Sequence, residues 1–306
     1  MGNIYRKQRI EGVTIPAVIH NSSYFLIQLG VYEDGTVSCW EKTDLGDFIS
    51  ILKKGWVTPQ VPDGKELSIN GLGAFRVESA KWQFDITGFN RHIEETVRSI
   101  NPEMRNIYVT SQRERDKWDK ARVRFSASPV PFKLKPGLGY TMLDGKSGYI
   151  FYRNKDGGLY ITELTVYADK TARLGMIGDK AYTAEEIGLL FDSGVLLTAP
   201  AGKEEVTVEG LGKIVLADIG SRVEAKEKKK EINELALGLA GEADAIERCR
   251  KAHYLYLCSP SDQTREYLRK AYDAVPEHNR IFLGDMDTRD SDFRRILFCP
   301  DEKREV

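Results

Sequence analysis

A chain of 306 residues exceeds what one ordinary hydrophobic core organises and suits two or three domains. Its 45 Lys plus Arg balance 46 Asp plus Glu, which argues against nucleic acid or an anionic membrane as a whole-surface partner. With 41% hydrophobic and 30% charged residues, and 27 Gly beside 11 Pro, the composition is globular, neither collagen-like nor disordered.

The first residues, MGNIYRKQRIEG, contain no apolar stretch of signal-peptide type. Arg6 stands where myristoylation wants Ser or Thr. No uninterrupted apolar run is long enough to span a bilayer. Cys39, Cys249, Cys258 and Cys299 form no CxxC pair, so buried reduced thiols and a cytoplasmic setting are expected.

Tyr24 to Val31 is rich in β-branched and aromatic residues and runs into Glu33-Asp34-Gly35, a hairpin signal with Thr36 to Trp40 as the return strand. Asp44 is the N-cap of a short helix whose apolar face is Leu45, Phe48, Ile49 and Leu52, closed by Gly55. Short strands follow at Val57, at Leu67 to Ile69 and at Ala74 to Val77, with Gly71-Leu72-Gly73 as a turn between the last two. Phe89, Ile93, Val97 and Ile100 mark an amphipathic helix that stops at Asn101-Pro102. The charged stretch SQRERDKWDKARVRF reads as a further helix, and SASPVPFKLKPGLGY as extended chain.

Then the pattern returns. Val31-Tyr32, Asp34 and Thr36 meet Val166-Tyr167, Asp169 and Thr171, 135 positions on. Gly55, Gly71 and Gly73 meet Gly194, Gly210 and Gly212, 139 positions on. Thr183 and Glu186 form a capping box ahead of Ile187, Leu190 and Phe191. A hairpin, a helix and a glycine turn kept in order indicate an internal duplication. Copy one, through YEDGTVSCW, GWVTP and SINGLG, resembles an uncharacterised bacterial domain of unknown function over about residues 5–80. That resemblance implies a bacterial or phage source and brings no activity, cofactor or site residue.

After Gly220 the helical period takes over. EAKEKKKEINELALGLA has Glu and Lys interleaved at helical spacing, which reads Lys228 to Lys230 as a solvated face rather than a phosphate patch. Further helices are expected over Glu242–Leu257, after Ser259-Pro260-Ser261 (inner face Tyr267, Leu268, Ala271 and Val275) and after Asp290 or Ser291.

The expected architecture is α+β: two homologous antiparallel β-rich modules, each with one short helix, plus a helical C-terminal region. The boundaries drawn are 1–80, 81–122, 123–220 and 221–306. No Walker A, GxSxG or Cys/His signature appears, and no catalytic residue, cofactor or metal is nominated. The acidic stretch IFLGDMDTRDSDF matches neither a haloacid-dehalogenase-type strand nor an EF-hand, so Asp287 and Asp290 read as helix caps. Trp40 and Trp56 are replaced in copy two by Gly175 and Val195, which marks copy one as the place for a ligand if there is one, although packing in copy one's core is the simpler role for both indoles. His20, Asn21 and Tyr32 are the polar groups expected to orient that ligand.

The function expected is a non-catalytic binding or adaptor protein, of the kind used in bacterial immunity or phage defence. Its partner would be another protein or a small ligand, with nucleic acid disfavoured and no membrane. Single-stranded nucleic acid held by Trp40, Trp56, Lys53 and Lys54 is the weakest reading, given the neutral charge. The alternative is a metal-dependent hydrolase built on Asp285, Asp287, Asp290 and His278.

Overall fold

The computed structural model describes residues 8–39, 42–109, 122–126, 132–135, 141–178, 180–285 and 287–300. Its first run is β1 (Gln8–Asn21), β2 (Ser23–Tyr32), β3 (Val37–Ser38), β4 (Lys42–Thr43), α1 (Leu45–Lys53), β5 (Val57–Thr58), β6 (Glu66–Ile69), β7 (Gly73–Trp82) and α2 (Ile86–Ile100). Two strands follow, β8 (Arg122–Ser126) and β9 (Phe132–Lys135). The second run is β10 (Thr141–Arg153), β11 (Leu159–Tyr167), β12 (Thr171–Leu174), β13 (Ala181–Thr183), α3 (Ala184–Asp192), β14 (Leu196–Leu197), β15 (Glu205–Val208), β16 (Gly212–Asp218) and α4 (Ala225–Leu239). Last come α5 (Ala245–Cys258), α6 (Asp262–Ala274), a 3-10 turn (Glu277–Phe282) and α7 (Ser291–Phe298).

The architecture is α+β, and most of it is written twice. From β10 to α4 the second run repeats the first element by element, including α4, which lies 139 positions after α2. The repeat therefore continues one helix beyond the strands that announce it in the sequence. Local chemistry repeats as well. Asp34 Oδ1 accepts from the Thr36 amide (3.1 Å) and hydroxyl (2.6 Å), and Asp169 Oδ1 accepts from the Thr171 amide (3.2 Å) and hydroxyl (2.7 Å). These turns are closed by an aspartate satisfying the backbone two residues on. The Asp44 carboxylate caps α1 by accepting from the Asp47 amide at 2.8 Å, and Thr183 with Glu186 makes a full capping box on α3.

Most ladders are antiparallel, as short turns demand, but one pairing per copy is not. β2 lies parallel to β6 through Tyr24↔Leu67, and β11 lies parallel to β15 through Leu159↔Val206, the same pair shifted by 135 and 139. In copy one, β3, β4, α1 and β5 intervene between the paired strands, a connection long enough to return the chain in the same direction.

The chain forms two compact units that cut across its linear order. One holds Met1–Pro131, Tyr149–Thr162 and Ala199–Arg222. Its strands run β11 (through Leu159 to Ile161), β15, β16, β7, β6, β2, β1 and β5, with β8 parallel to β1. Arg122–Phe125 thus form a strand where a helix was expected. Phe89, Ile93 and Val97 of α2 are buried in this unit, with Leu26, Leu67 and Phe75 also in its core. At the unit's centre β7 meets β16 antiparallel, with Val77 opposite Leu216. Leu216 is Val77's own counterpart in copy two, so the copies join edge to edge about a local two-fold axis.

β1 escaped the sequence reading because Gly12 and Pro16 interrupt it, and both demote a strand. The structure explains Gly12: a Cβ there would lie 2.5 Å from Cδ1 of Tyr32, whose ring covers that spot.

The other unit holds Phe132–Gly148, Glu163–Thr198 and Val223–Val306. Here β9 pairs with the start of β10, and the end of β11 pairs with β12, which pairs with β13. Its C-terminal helices have a core of their own, formed by Cys249, Ala252, Leu268, Tyr272, Phe293, Ile296 and neighbours. Tyr267, expected inside, is exposed, and Tyr272 takes its place on the inner face of α6. Cys249 is also the exception among the thiols. Burial pushes it up to about 12, whereas Cys258 and Cys299 are exposed, against the expectation of four buried cysteines. No helix among the described residues is long and apolar enough to cross a membrane.

Candidate functional site

Copy one carries a cavity of about 380 Å³ at the turn end of the β1–β2 hairpin. Its wall is assembled from four places: His20 and Tyr24 from the hairpin, Gly55 and Thr58 from the end of α1 and β5, Gln60 to Asp63 from the following loop, and Ala80 and Trp82 from β7. Each place is fixed by backbone pairing. His20 sits opposite Tyr24 across β1–β2, and their rings stack at 4.3 Å and 10°. The His20 amide donates to the Trp56 carbonyl at 2.8 Å, which ties the hairpin to the chain leaving α1. Gly55 turns that chain with a φ of +72°, as expected of a residue closing a helix.

The polar groups of the wall are unequally occupied. Trp82 Nε1 donates to the Val61 carbonyl at 3.1 Å, which fixes the indole. Gln60 Nε2 donates to the Phe84 carbonyl at 2.7 Å. The Thr58 hydroxyl donates to the Gln60 carbonyl and accepts from the Gln60 amide, at 3.1 and 3.2 Å. By contrast, the Asp63 carboxylate and the His20 ring nitrogens hydrogen-bond to no other described residue. The cavity therefore offers aromatic faces and an uncommitted acceptor.

Of the residues singled out from sequence, the structure brings His20 to this cavity and places Trp56 beside it. Asn21 is exposed in the adjoining turn, one residue before Ser22 at φ +61°. Trp56 is half-buried and contributes its carbonyl rather than its indole to the arrangement. Tyr32 lies at the opposite end of the hairpin, opposite Gly12, and is 6% exposed with its ring over Gly12 and Gly30. It is a core residue. Trp40 lies outside the described residues.

The indole that does line the cavity is Trp82, which sequence reasoning passed over. The signal was present. At the offset of 139 Trp82 becomes Ser221, the same kind of loss that drew attention to Trp40 and Trp56. The rest of the wall diverges with it: His20 becomes Lys155, and Tyr24, Thr58, Gln60 and Asp63 become Leu159, Leu197, Ala199 and Gly202. Gly55 alone stays, as Gly194.

The acidic cluster of the C-terminal region is committed locally. Asp285 Oδ1 accepts from the amides of Asp287 and Thr288 and from the Thr288 hydroxyl, so it, rather than Asp287, closes this turn. Asp290 precedes α7 without a side-chain cap, because its carboxylate accepts from the Tyr272 hydroxyl at 2.7 Å. His278 pairs with Glu231 at 2.9 Å, and Glu231 also meets Lys228 at 2.9 Å. Burial pushes the Glu231 carboxyl up, but the His278 hydrogen bond and the Lys228 charge outweigh it and hold the group below its ordinary value. Lys228 is 2% exposed, not part of a solvated face, while Lys229 and Lys230 pair with Asp192 and Glu227. No group of three or more His, Cys, Asp and Glu that could hold a metal ion occurs among the described residues.

A second depression, about 480 Å³, lies on α5 around Arg250, Tyr254, Leu255 and Cys258. All its walls come from one helix, so it converges on nothing.

Neither a curated protein nor a solved structure matches the chain. Two family models do. Residues 244–305, which contain the separate helical core, match the domain of unknown function DUF7639. Residues 1–104 and 136–243 match the domain of unknown function DUF7638, two segments that coincide with the two runs of elements, each through its closing helix. The chain therefore belongs to the DUF7638 family, whose module it carries in duplicate.

Proposed function

We propose that the protein is a non-catalytic binding protein whose ligand enters the copy-one cavity between the His20–Tyr24 stack and Trp82. The observation that carries this reading is selective divergence. Two copies share turns, caps and registers, yet the aromatic and polar members of this wall are all replaced in copy two, Tyr24, Thr58, Gln60, Asp63 and Trp82 by apolar or small residues and His20 by Lys155. A purely structural wall has no reason to differ so consistently, whereas a site kept in one copy does. A binding role fits better than catalysis because the Thr58 hydroxyl is held on both sides by the Gln60 backbone.

The test uses copy two as its own control. Small aromatic and polar fragments are screened by NMR, following the Trp82 indole resonance. The Trp82→Ser variant installs the residue with which copy two already folds, so it should unfold cooperatively and, by ligand-observed NMR, no longer bind the fragments that shift the wild-type indole. A library that never perturbs Trp82, or fragments that bind the Ser variant equally well, would sink the proposal.

A further inference from the structure

The charge of the cavity narrows the ligand class. Among the described residues, no lysine or arginine lines it, and its one carboxylate, Asp63, is exposed at the rim without a protein partner. Gly55, just past the C-terminal end of α1, forms part of the wall, and a helix C-terminus carries the negative pole of the helix dipole. Lys53 and Lys54 close that helix in solvent, outside the wall. Trp82 adds an indole face held in place by its own hydrogen bond, and an indole is the best of the aromatic partners for a cation. A fixed aromatic face, an uncommitted carboxylate and a helix C-terminus all favour positive charge. An anion would meet no fixed cation here.

We infer that the copy-one cavity binds a guanidinium group, as on an arginine side chain, stacked on Trp82 and hydrogen-bonded to Asp63. Guanidinium suits the pair better than ammonium because its plane matches an indole and its forked N–H groups match a carboxylate. Copy two makes the complementary point. There the carboxylate and the indole are gone together, as Gly202 and Ser221. This inference rests on the cavity being a ligand site, and the experiment separates the two claims.

Binding of N-acetyl-argininamide is compared with that of N-acetyl-citrullinamide, a neutral isostere differing only in the terminal group. Calorimetry and the Trp82 indole resonance report on wild type and on Asp63→Asn. Asp63 is exposed, so its variant keeps the fold and isolates the charge. The expected result is that the arginine probe shifts Trp82 and binds about ten-fold or more tightly than the citrulline probe. Asp63→Asn removes that preference. If both probes bind wild type equally, or if Asp63→Asn leaves the preference intact, the guanidinium inference is overturned while the cavity remains a ligand site. If neither probe shifts Trp82 but a neutral fragment does, the inference fails alone. If no compound of any charge shifts Trp82, both claims fall.

Discussion

Gly73 and Gly212 have two reasons to be glycine, and both can be weighed. Their φ angles are +112° and +150°, where a side chain is strained. A Cβ on Gly73 would also lie 2.2 Å from the Ser221 carbonyl oxygen, and one on Gly212 would lie 2.6 Å from the Lys81 carbonyl oxygen. Each is approached by the backbone that enters or leaves the other copy's central strand. Gly55 and Gly194 also have positive φ, at +72° and +73°, but nothing lies within 4 Å of an added Cβ. Gly73→Ala should therefore cost about 2–5 kcal/mol, strain plus overpacking, and Gly194→Ala only the strain of about 1–2 kcal/mol. Urea midpoints of the two variants check the order, and equal losses would show that the close approach does not matter. The glycine pair was visible in the sequence as a turn. Its second reason was not, because a local window cannot reveal which distant strand passes over a residue.

At the scale of elements, α5 and α7 meet through His253 and Phe293, whose rings stack at 4.2 Å. Burial pushes the His253 imidazole below its ordinary value, and the nearby Asp292 charge only partly offsets this. The folded state therefore disfavours the imidazolium, and the unfolded chain takes up the proton first as pH falls. Stability from this contact is fully present above the ordinary histidine value and is lost as pH falls through that value and below it. Glu231 acts lower, since a carboxyl held down loses its contribution only below the ordinary glutamate range. Urea unfolding followed by helix content should show the midpoint falling across the upper window, with His253→Leu flattening it. A wild-type midpoint independent of pH there would refute the assignment. Helices of this kind were legible because caps and apolar spacing are local: Asp44 and Thr183 cap where they were expected to, and α6 starts directly after Ser261, as Ser259-Pro260-Ser261 announced. Strands fared worse. Arg122–Phe125 look helical beside so many charges, yet β1 offers them a parallel edge, and pairing overrides propensity. The cavity was half legible, since His20 lies in it but Trp82 becomes part of it only when β7 is placed beside the loop that carries Val61.

For the whole molecule, the pairing of β7 with β16 resembles a homodimer interface drawn inside one chain. Val77 faces its own counterpart Leu216, and Trp82 faces Gly212, which is Gly73's counterpart. Equivalent strands pairing antiparallel about a two-fold axis is how separate identical subunits meet through a sheet edge. An isolated copy one, residues 1–109, keeps β7 and loses β16, so it should pair with a second fragment along the same edge. Sedimentation should show dimers, and Ser79→Pro, which removes a ladder donor near the axis, should return monomers. A fragment that is monomeric with an intact hairpin would argue that β16 is held by features other than its backbone edge.

That central pairing also has a consequence in time. The strand that completes β7 ends at Asp218, so a growing chain finishes β7 well before its partner exists. At ordinary synthesis rates the wait is on the order of ten seconds, far longer than a small module needs to fold. During that interval a sheet edge stands open beside a neighbouring ribosome's identical edge. The outward side chains of β7 answer the hazard: Arg76, Glu78 and Lys81 are exposed along it, and charges on an edge discourage unwanted strands. The second copy thus arrives as a tethered partner for the first, at a local concentration no neighbouring chain can match.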